Sequence, residues 1–203
     1  MQERYSEILR RLWCEKCEVP YGATLSDRDI KRLVEQKRII IDPQPDLDDV
    51  SILGTCKIDL HLGREAMFIE PTEVGEFDLS EPIPEEYYRR VDLIKRGLII
   101  PSNRVVIAVT LEKLTLPDDI IGILVGKSGN ARRGLKVEAA PVFDAGWDGH
   151  PILELQNTSG IALRTRYGQP ICAMYFQHLS SPALRPYAQS DGVRYRNQTR
   201  VQL

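Results

Sequence analysis

The segment 126–134 combines residue types that bind phosphate groups. Its sequence, GKSGNARRG, places a serine and three cations among glycines, directly after the apolar run 120–125. Glycine lets a backbone approach an anion closely, the Ser128 hydroxyl can donate a hydrogen bond, and cations neutralise phosphate charge. The spacing is not that of a Walker A loop. The local chemistry predicts either a phosphate-binding loop or a basic turn that faces solvent.

The segment 142–149 brings an aromatic ring and two carboxylates into one turn. Its sequence, VFDAGWDG, holds Asp144 and Asp148 on either side of Trp147. Asp144 could accept a hydrogen bond from a sugar hydroxyl, and Trp147 could form the wall of a pocket. Turn formation alone explains the same Asp and Gly residues. The pattern therefore predicts a hairpin-like turn, with or without a ligand.

Glu154 is the candidate for proton transfer. It lies in the run PILEL at 151–155, where strand alternation places it on the same face as Ile152. A carboxylate among apolar groups has a raised pKa, because burial disfavours its charged form. Such a group can accept and return a proton near neutral pH. The alternative is a glutamate at the rim of a sheet that simply faces water.

A chain of ordinary composition must position these residues. Its 203 residues include 27 basic and 29 acidic side chains, for a formal net charge of −2, and 42% are apolar. These values predict one folded domain, with or without an extension, and argue against a nucleic acid polymer as partner. No apolar run approaches the roughly 20 residues of a membrane span, and the charged N-terminus lacks a secretory signal core. We expect a cytoplasmic protein without a membrane partner.

The cysteines and histidines do not predict a metal site. Cys14 and Cys17 have the C-x-x-C spacing that zinc sites and redox centres share, and Cys56 and Cys172 stand apart from them. A structural zinc site needs about four ligands. The three histidines are scattered along the chain, so two incidental thiols are the favoured interpretation.

Helical patterns are confined to the N-terminal part, and short β-rich runs follow. Apolar spacing predicts a helix over 3–15, and N-cap residues at 24–27 predict a second helix that ends near Gln36, with Ile30, Leu33 and Val34 on one face. Ten strands are predicted: 38–41, 56–62, 66–69, 98–100, 104–110, 120–125, 135–138, 152–156, 161–164 and 171–176. This arrangement favours a sandwich or barrel over βαβ units.

Three regions can be separated along the chain. Residues 1–23 are predicted to form a helical extension, residues 24–189 the β domain, and residues 190–203 a mobile, basic C-terminal segment. Within the β domain, the stretch 81–96 predicts a short helix in a long connection.

Several ordered motifs carry a resemblance to a known family. They are LSDRDI at 25–30, IDLHLG at 58–63, VTLE at 109–112, LP at 116–117, the GKSGNARRGL loop, DAGWDG at 144–149, LE at 153–154, Asn157, SPA at 181–183, RPY at 185–187 and YRNQ at 195–198. From about residue 24 to the C-terminus the chain resembles the dCTP deaminase branch of the dCTP deaminase/dUTPase family. The stretch 1–23 precedes the usual start of that family.

The resemblance implies a mainly β fold, a distorted β-barrel or jelly roll of the dUTPase-like type with N-terminal helices. It implies a homotrimer with active sites shared between subunits, and zinc-independent hydrolysis of dCTP to dUTP and ammonia in the supply of dUMP and dTTP. It also implies magnesium carried by the nucleotide triphosphate. The H-x-E and P-C-x-x-C signature of zinc deaminases does not occur in the sequence.

The resemblance also assigns roles to residues. It implies catalytic roles for Glu154, Ser128 and Arg132: Glu154 shuttles the proton, and the other two belong to the loop that holds the triphosphate and orients the water. Asp144 would meet the 3′-hydroxyl, and Ile152 and Leu153 would flank the base. The implied nucleotide-binding set is Lys127, Ser128, Gly129, Asn130, Ala131, Arg132, Asp144, Trp147, Ile152, Leu153, Glu154, Tyr187, Arg194 and Gln198, with the last three on the segment that closes over the phosphates.

Departures from the family pattern leave alternatives open. Gly129 stands where deaminases usually have a second hydroxyl, and glycine at this position is usual in dUTPases. Arg194 stands where a lysine is more usual. The chain before Asp144 is one residue shorter than in typical bacterial deaminases, and the turn 140–142 lacks their basic residue. Glu154 favours a deaminase. The alternatives are a dUTPase, a bifunctional enzyme that releases dUMP and pyrophosphate, a nucleotide-binding module without turnover, or an enzyme for a modified deoxycytidine nucleotide.

Overall fold

The computed structural model describes residues 13–14, 19–70, 76–78, 80–138 and 140–189. Helices among these residues are α1 (Asp27–Glu35), α2 (Leu93–Arg96) and α3 (Ser128–Ala131), with 3-10 turns at Glu85–Tyr87 and Tyr187–Gln189. The strands are β1 (Trp13–Cys14), β2 (Val19–Pro20), β3 (Ile40–Asp42), β4 (Ile58–Ile69), β5 (Tyr88–Asp92), β6 (Leu98–Ile100), β7 (Val105–Thr110), β8 (Lys113–Thr115), β9 (Ile120–Gly126), β10 (Leu135–Glu138), β11 (Val142–Phe143), β12 (Asp148–Gly149), β13 (Ile152–Asn157), β14 (Leu163–Thr165) and β15 (Pro170–His178). The prediction of a mainly β protein is confirmed.

One curled antiparallel sheet forms the centre of the molecule. Its strand order is β10-β13-β7-β4-β15-β9-β11, and β5 also pairs with β4. Smaller sheets have the orders β12-β8-β3 and β14-β6, and β1 pairs with β2. Strands that are distant in sequence lie side by side in this sheet, which curls into a half-barrel.

Strand β4 joins the two halves of this sheet. Its first residues pair with β15 and its last residues pair with β5, while its other edge follows β7. The register along β7 shifts between Leu62 and Ala66. At Gly63 a Cβ atom would lie 2.6 Å from the carbonyl oxygen of Thr110. Glycine is therefore required where β4 bends closely over the end of β7.

Helix α1 covers one face of the sheet, as its apolar spacing predicts. Ser26 caps its N-terminus in a reciprocal capping box with Asp29, and Ile30, Leu33 and Val34 are buried. These residues join the main apolar core with inward-facing residues of the sheet such as Leu153. None of the helices in the described ranges is long and apolar enough to cross a membrane.

Several predicted elements need correction. Trp13–Cys14 is a strand paired with Val19–Pro20, so the predicted helix over 3–15 is wrong at residues 13–14; residues 1–12 and 15–18 lie outside the described part. The runs 56–62 and 66–69 belong to one bent strand, and the stretch 81–96 contains strand β5 as well as helical turns. The segment 142–149 is a corner between sheets and not a hairpin, because β11 pairs with β9 and β12 pairs with β8.

Candidate active site

The loop 127–134 begins where β9 leaves the sheet. Lys127 is the N-cap of the one-turn helix α3, and the Asn130 side-chain amide donates to the Ile171 carbonyl at 3.3 Å, which fixes the turn to β15. At Gly134 the backbone has φ +86°, and a Cβ atom would lie 2.8 Å from Ser159. Glycine therefore closes the loop in a conformation and a space that other residues do not fit.

The side chains predicted to bind phosphate face outward from this loop. Ser128, Gly129, Ala131 and Arg132 are exposed, and Asn130 is half-buried. Backbone amides of Asn130, Ala131 and Arg132 are already used within the turn. The hydroxyl of Ser128 and the guanidinium of Arg132 are therefore among the exposed groups that the loop can offer to an anion.

Lys127 differs from the rest of the loop, because its amine forms an ion pair with the carboxylate of Asp59 on β4. Burial lowers the pKa of Lys127, and the nearby Lys57 lowers it further. Asp59 places a negative charge directly against the amine and opposes both effects. A triphosphate that bound Lys127 would compete with the Asp59 carboxylate for the Lys127 ammonium group. The role of Asp59 could not be assigned from the sequence, because the contact joins strands 68 residues apart.

Glu154 lies in the middle of β13, opposite Ile107 of β7 and Glu138 of β10. Its side chain is half-buried, on the same face as Ile152, as strand alternation predicts. Its Oε2 atom is buried without a hydrogen-bond partner among the described residues. Burial raises the pKa of Glu154, opposed only by a hydrogen bond with its own backbone. The structure therefore contains the desolvated carboxyl group that the sequence predicts.

The face that carries Glu154 is the outer face of the sheet. Leu153 and Leu155 point to the opposite face and are buried in the main core. On the outer face, a second apolar cluster contains Met67 and Val109 with Tyr88, Ile107 and Ile152 packed against them. Of the two residues predicted to flank a base, Ile152 lies beside Glu154, whereas the Leu153 side chain is fully buried on the other side.

The corner 142–149 and the turn 187–189 form an aromatic wall. Trp147 is 7% exposed, and its ring packs edge-on against Phe143, with ring centroids 5.1 Å apart. The Tyr187 ring lies tilted against it, with ring centroids 4.9 Å apart. The Tyr187 backbone amide donates to the Ala145 carbonyl at 2.8 Å. The indole Nε1 of Trp147 is buried without a hydrogen-bond partner in the described part of the chain.

The carboxylate of Asp144 is exposed at the mouth of this corner, and the backbone carbonyl of Asp144 accepts a hydrogen bond from the Trp147 backbone amide at 3.0 Å. The structure thus brings Trp147 and Tyr187 together and leaves Asp144 accessible beside them. Arg194 and Gln198, predicted to close over the phosphates, lie outside the described residues.

Similarity to known proteins covers most of the chain. A dCTP deaminase-like family profile matches residues 24–179. The dCTP deaminase of Thermomicrobium roseum is 37% identical over 177 residues, 86% of this chain and 89% of that protein. The dCTP deaminase of Rhodospirillum rubrum is 35% identical over 183 residues, 86% of this chain and 92% of that protein.

A solved structure shows the same fold. The 2′-deoxycytidine 5′-triphosphate deaminase from Agrobacterium tumefaciens matches with a TM-score of 0.58 at 23% identity, over 76% of this chain and 46% of that chain. The matched profile includes the loop 127–134, the corner 142–149 and strand β13 with Glu154. By profile, sequence identity and fold together, the chain belongs to the dCTP deaminase-like family.

Proposed function

We propose that this chain is a dCTP deaminase, which hydrolyses dCTP to dUTP and ammonia. The observation that carries the proposal is the carboxyl group of Glu154, half-buried on an apolar face, with a buried oxygen that has no hydrogen-bond partner among the described residues. Because burial raises its pKa, this group can both take and give a proton near neutral pH. Hydrolysis of a phosphate anhydride does not need such a group beside the base.

Glu154 performs the proton transfers in this proposal. Ionised Glu154 takes a proton from water while the water oxygen bonds to C4 of cytosine. The carboxylic acid then returns that proton to the exocyclic nitrogen, the C4–N bond breaks, and ammonia leaves. The addition moves the electron pair of the C4–N3 double bond onto N3, and the second proton of the attacking water is transferred to N3 as C4 becomes the carbonyl of uracil. One carboxyl group therefore serves as base and acid in turn.

The loop and the corner would hold the rest of the nucleotide. Ser128 and Arg132 would contact the triphosphate and help to orient the water, with Lys127, Gly129, Asn130 and Ala131 completing the loop. Asp144 would accept a hydrogen bond from the 3′-hydroxyl. Trp147 and Tyr187 would wall the sugar and base. The exposure of Ser128, Arg132 and Asp144 supports these roles.

Magnesium would enter with the nucleotide. Cations and a hydroxyl dominate the exposed loop, and the described residues contain no group of three or more His, Cys, Asp or Glu side chains that could hold a metal ion. This donor set fits an ion coordinated by phosphate oxygens, where it would neutralise phosphate charge. Zinc-independent deamination belongs to the same proposal.

A homotrimer with shared sites is the proposed assembly. Glu154 lies on an outward face of the sheet, and the phosphate-binding groups of the loop point outward as well. A neighbouring subunit packed beside the loop would complete the pocket. The C-terminal residues 190–203, with Arg194 and Gln198, are proposed to close over it.

A second candidate function is favoured by Gly129. A Cβ atom at this position would meet nothing within 4 Å, so the fold does not require glycine there. The loop therefore lacks, at Gly129, a hydroxyl for which there is space, and this absence resembles the pattern of dUTPases. The alternative activity is therefore dUTP hydrolysis, alone or after deamination, with release of dUMP and pyrophosphate.

Product analysis tests the proposal. The protein is incubated with magnesium and either dCTP or dUTP, and nucleotides, ammonia and pyrophosphate are measured. We expect equal amounts of dUTP and ammonia from dCTP, with dUTP untouched. Pyrophosphate and dUMP from dCTP would indicate the bifunctional enzyme, and the same products from dUTP alone would indicate a dUTPase.

Glu154→Gln is the decisive variant. It should reduce ammonia release by about 10²- to 10⁴-fold, the usual contribution of a general acid–base group, while dCTP still binds. Glu85→Gln changes an exposed glutamate paired with Arg90 and should retain full activity. Unchanged turnover in Glu154→Gln would refute the role of Glu154.

A further inference from the structure

Ile107 stands directly opposite Glu154 in the antiparallel pair β7–β13. Side chains at such positions share a face of the sheet, with Cβ atoms about 4.5–5.5 Å apart. The next strand places Met67 opposite Ile107, so a buried methionine supports the isoleucine from the far side. Ile107 is therefore held between Met67 and the carboxyl-bearing residue.

The neighbours of Glu154 along its own strand protect it unequally. Ile152 is half-buried in the same outer cluster, and Gln156 lies opposite Val105, which is 47% exposed. The flank towards Val105 is thus open, whereas the flank at Ile107 is apolar and packed. Desolvation of Glu154 is the main cause of its raised pKa. Ile107 is the apolar side chain best placed across the pair to cause it.

We propose that Ile107 is a positioning residue for Glu154: it covers one flank of the carboxyl group, keeps water from that flank, and so sets the pH range in which the carboxyl exchanges its proton. The significance of Ile107 for catalysis rests on the proposed deaminase function, whereas the effect of Ile107 on the Glu154 carboxyl group is independent of that function.

Among the described side chains, charged groups on this face do not account for the same effect. By register and alternation, the titratable or charged residues with described side chains in this part of the outer face are Lys136 on β10, Glu65 on β4, and Tyr88, Arg90 and Asp92 on β5. Arg90 pairs with Glu85 and Asp92 with Arg64. Strand β7 contributes only Val105, Ile107 and Val109 to the face. Among the described residues, burial is the main cause that raises the pKa of Glu154.

Ile107→Thr is the test. Threonine keeps the β-branched shape that suits a strand but replaces apolar surface with a hydroxyl that attracts water. We expect the acid limb of kcat/KM for deamination to move to lower pH by about half a unit to one unit. Val105→Thr is the matched control, because it makes a similar change on the same face, two residues along, opposite Gln156. The Val105→Thr variant should leave the acid limb of kcat/KM at the same pH as in the wild type.

A direct titration keeps the inference falsifiable without turnover. The Glu154 carboxyl is followed by ¹³C NMR in glutamate-labelled protein and assigned by the signal missing in Glu154→Gln. Its midpoint should fall in Ile107→Thr and stay unchanged in Val105→Thr. Ile107→Val, which removes one methyl group, should give a smaller shift in the same direction and serves if the threonine variant does not fold.

The outcomes separate the two ideas. An unmoved carboxyl titration in folded Ile107→Thr or Ile107→Val, or an equal shift in Val105→Thr, overturns the role of Ile107. A moved titration in a protein that releases no ammonia from dCTP supports the role of Ile107 and refutes the proposed deaminase.

Discussion

The strand that carries Glu154 and the loop 127–134 differ in how much of their side chains is packed and how much is exposed to solvent. Glu154 lies in the interior of a sheet, with strands on both sides and an apolar cluster beside it. The loop fixes its backbone by Asn130 and Gly134 but leaves Ser128 and Arg132 exposed. The proposed proton-transfer group is desolvated without a ligand, whereas the charged groups proposed to bind phosphate stay exposed to solvent.

The difference follows from the chemistry of each part. The pKa of Glu154 is raised by burial, which the packing of the sheet provides. Recognition of a triphosphate requires cations that stay hydrated and available until the anion replaces that water. Substitutions in the two regions should therefore separate effects on binding from effects on protonation.

Arg132→Ala is the most severe test of this comparison. Because the guanidinium is exposed and is proposed to contact the triphosphate, kcat/KM should fall by about 10²- to 10³-fold while the melting temperature stays unchanged. Arg133→Ala, the adjacent exposed arginine, should have little effect on either. Steady-state kinetics and thermal unfolding provide the measurements. Equal losses in both variants would mean that the loop acts only through its total charge.

Gly146→Ala tests whether the aromatic corner behaves like the prepared strand. The backbone there has φ +83°, and a Cβ atom would lie 2.7 Å from Pro186. The strain should cost about 1–3 kcal/mol and displace Tyr187 from Trp147, raising KM for dCTP about tenfold. Gly160→Ala is the control, because nothing lies within 4 Å of its added Cβ. Unchanged KM in Gly146→Ala would show that the aromatic contact does not shape the pocket.

The smallest expected effect concerns stability. Since the pKa of Glu154 is raised in the folded chain, its carboxyl is protonated in both states at low pH, and no penalty arises there. As pH rises from the ordinary value of 4.5 through the raised folded value, the folded state loses stability. Glu154→Gln avoids this loss. Its melting temperature should equal the wild type near pH 4 and exceed it on the order of 2 °C at pH 7–8. A gap independent of pH would contradict the buried-carboxyl interpretation.

The sequence predicts those parts of the molecule whose signals are local. Alternation correctly places Glu154 with Ile152, and the capping residues and apolar spacing correctly place α1. The mainly β class follows from the short runs and their turn residues. The motifs identify the family, which the profile match confirms.

What the sequence does not predict depends on partners distant along the chain. The contact of Asp59 with Lys127 and the position of Ile107 opposite Glu154 arise from sheet register. Short strands such as β8 and β12 exist because each pairs with the other, not because of strong local preference. The corner 142–149 has turn composition, but its flanking residues join different sheets. The site assignments for Arg194 and Gln198 stay predictions.

The bend of β4 at Gly63 has a consequence for how the molecule opens. One end of this strand holds Asp59 against the base of the loop, and the other places Met67 behind Ile107. Both regions therefore lose their support if β4 detaches from the sheet. If β4 detaches from the sheet, the backbone amides of the loop and of the Glu154 strand should become accessible to hydrogen exchange together, as a single cooperative unit. The loop and the Glu154 strand, although built differently, should therefore have the same free energy of local unfolding.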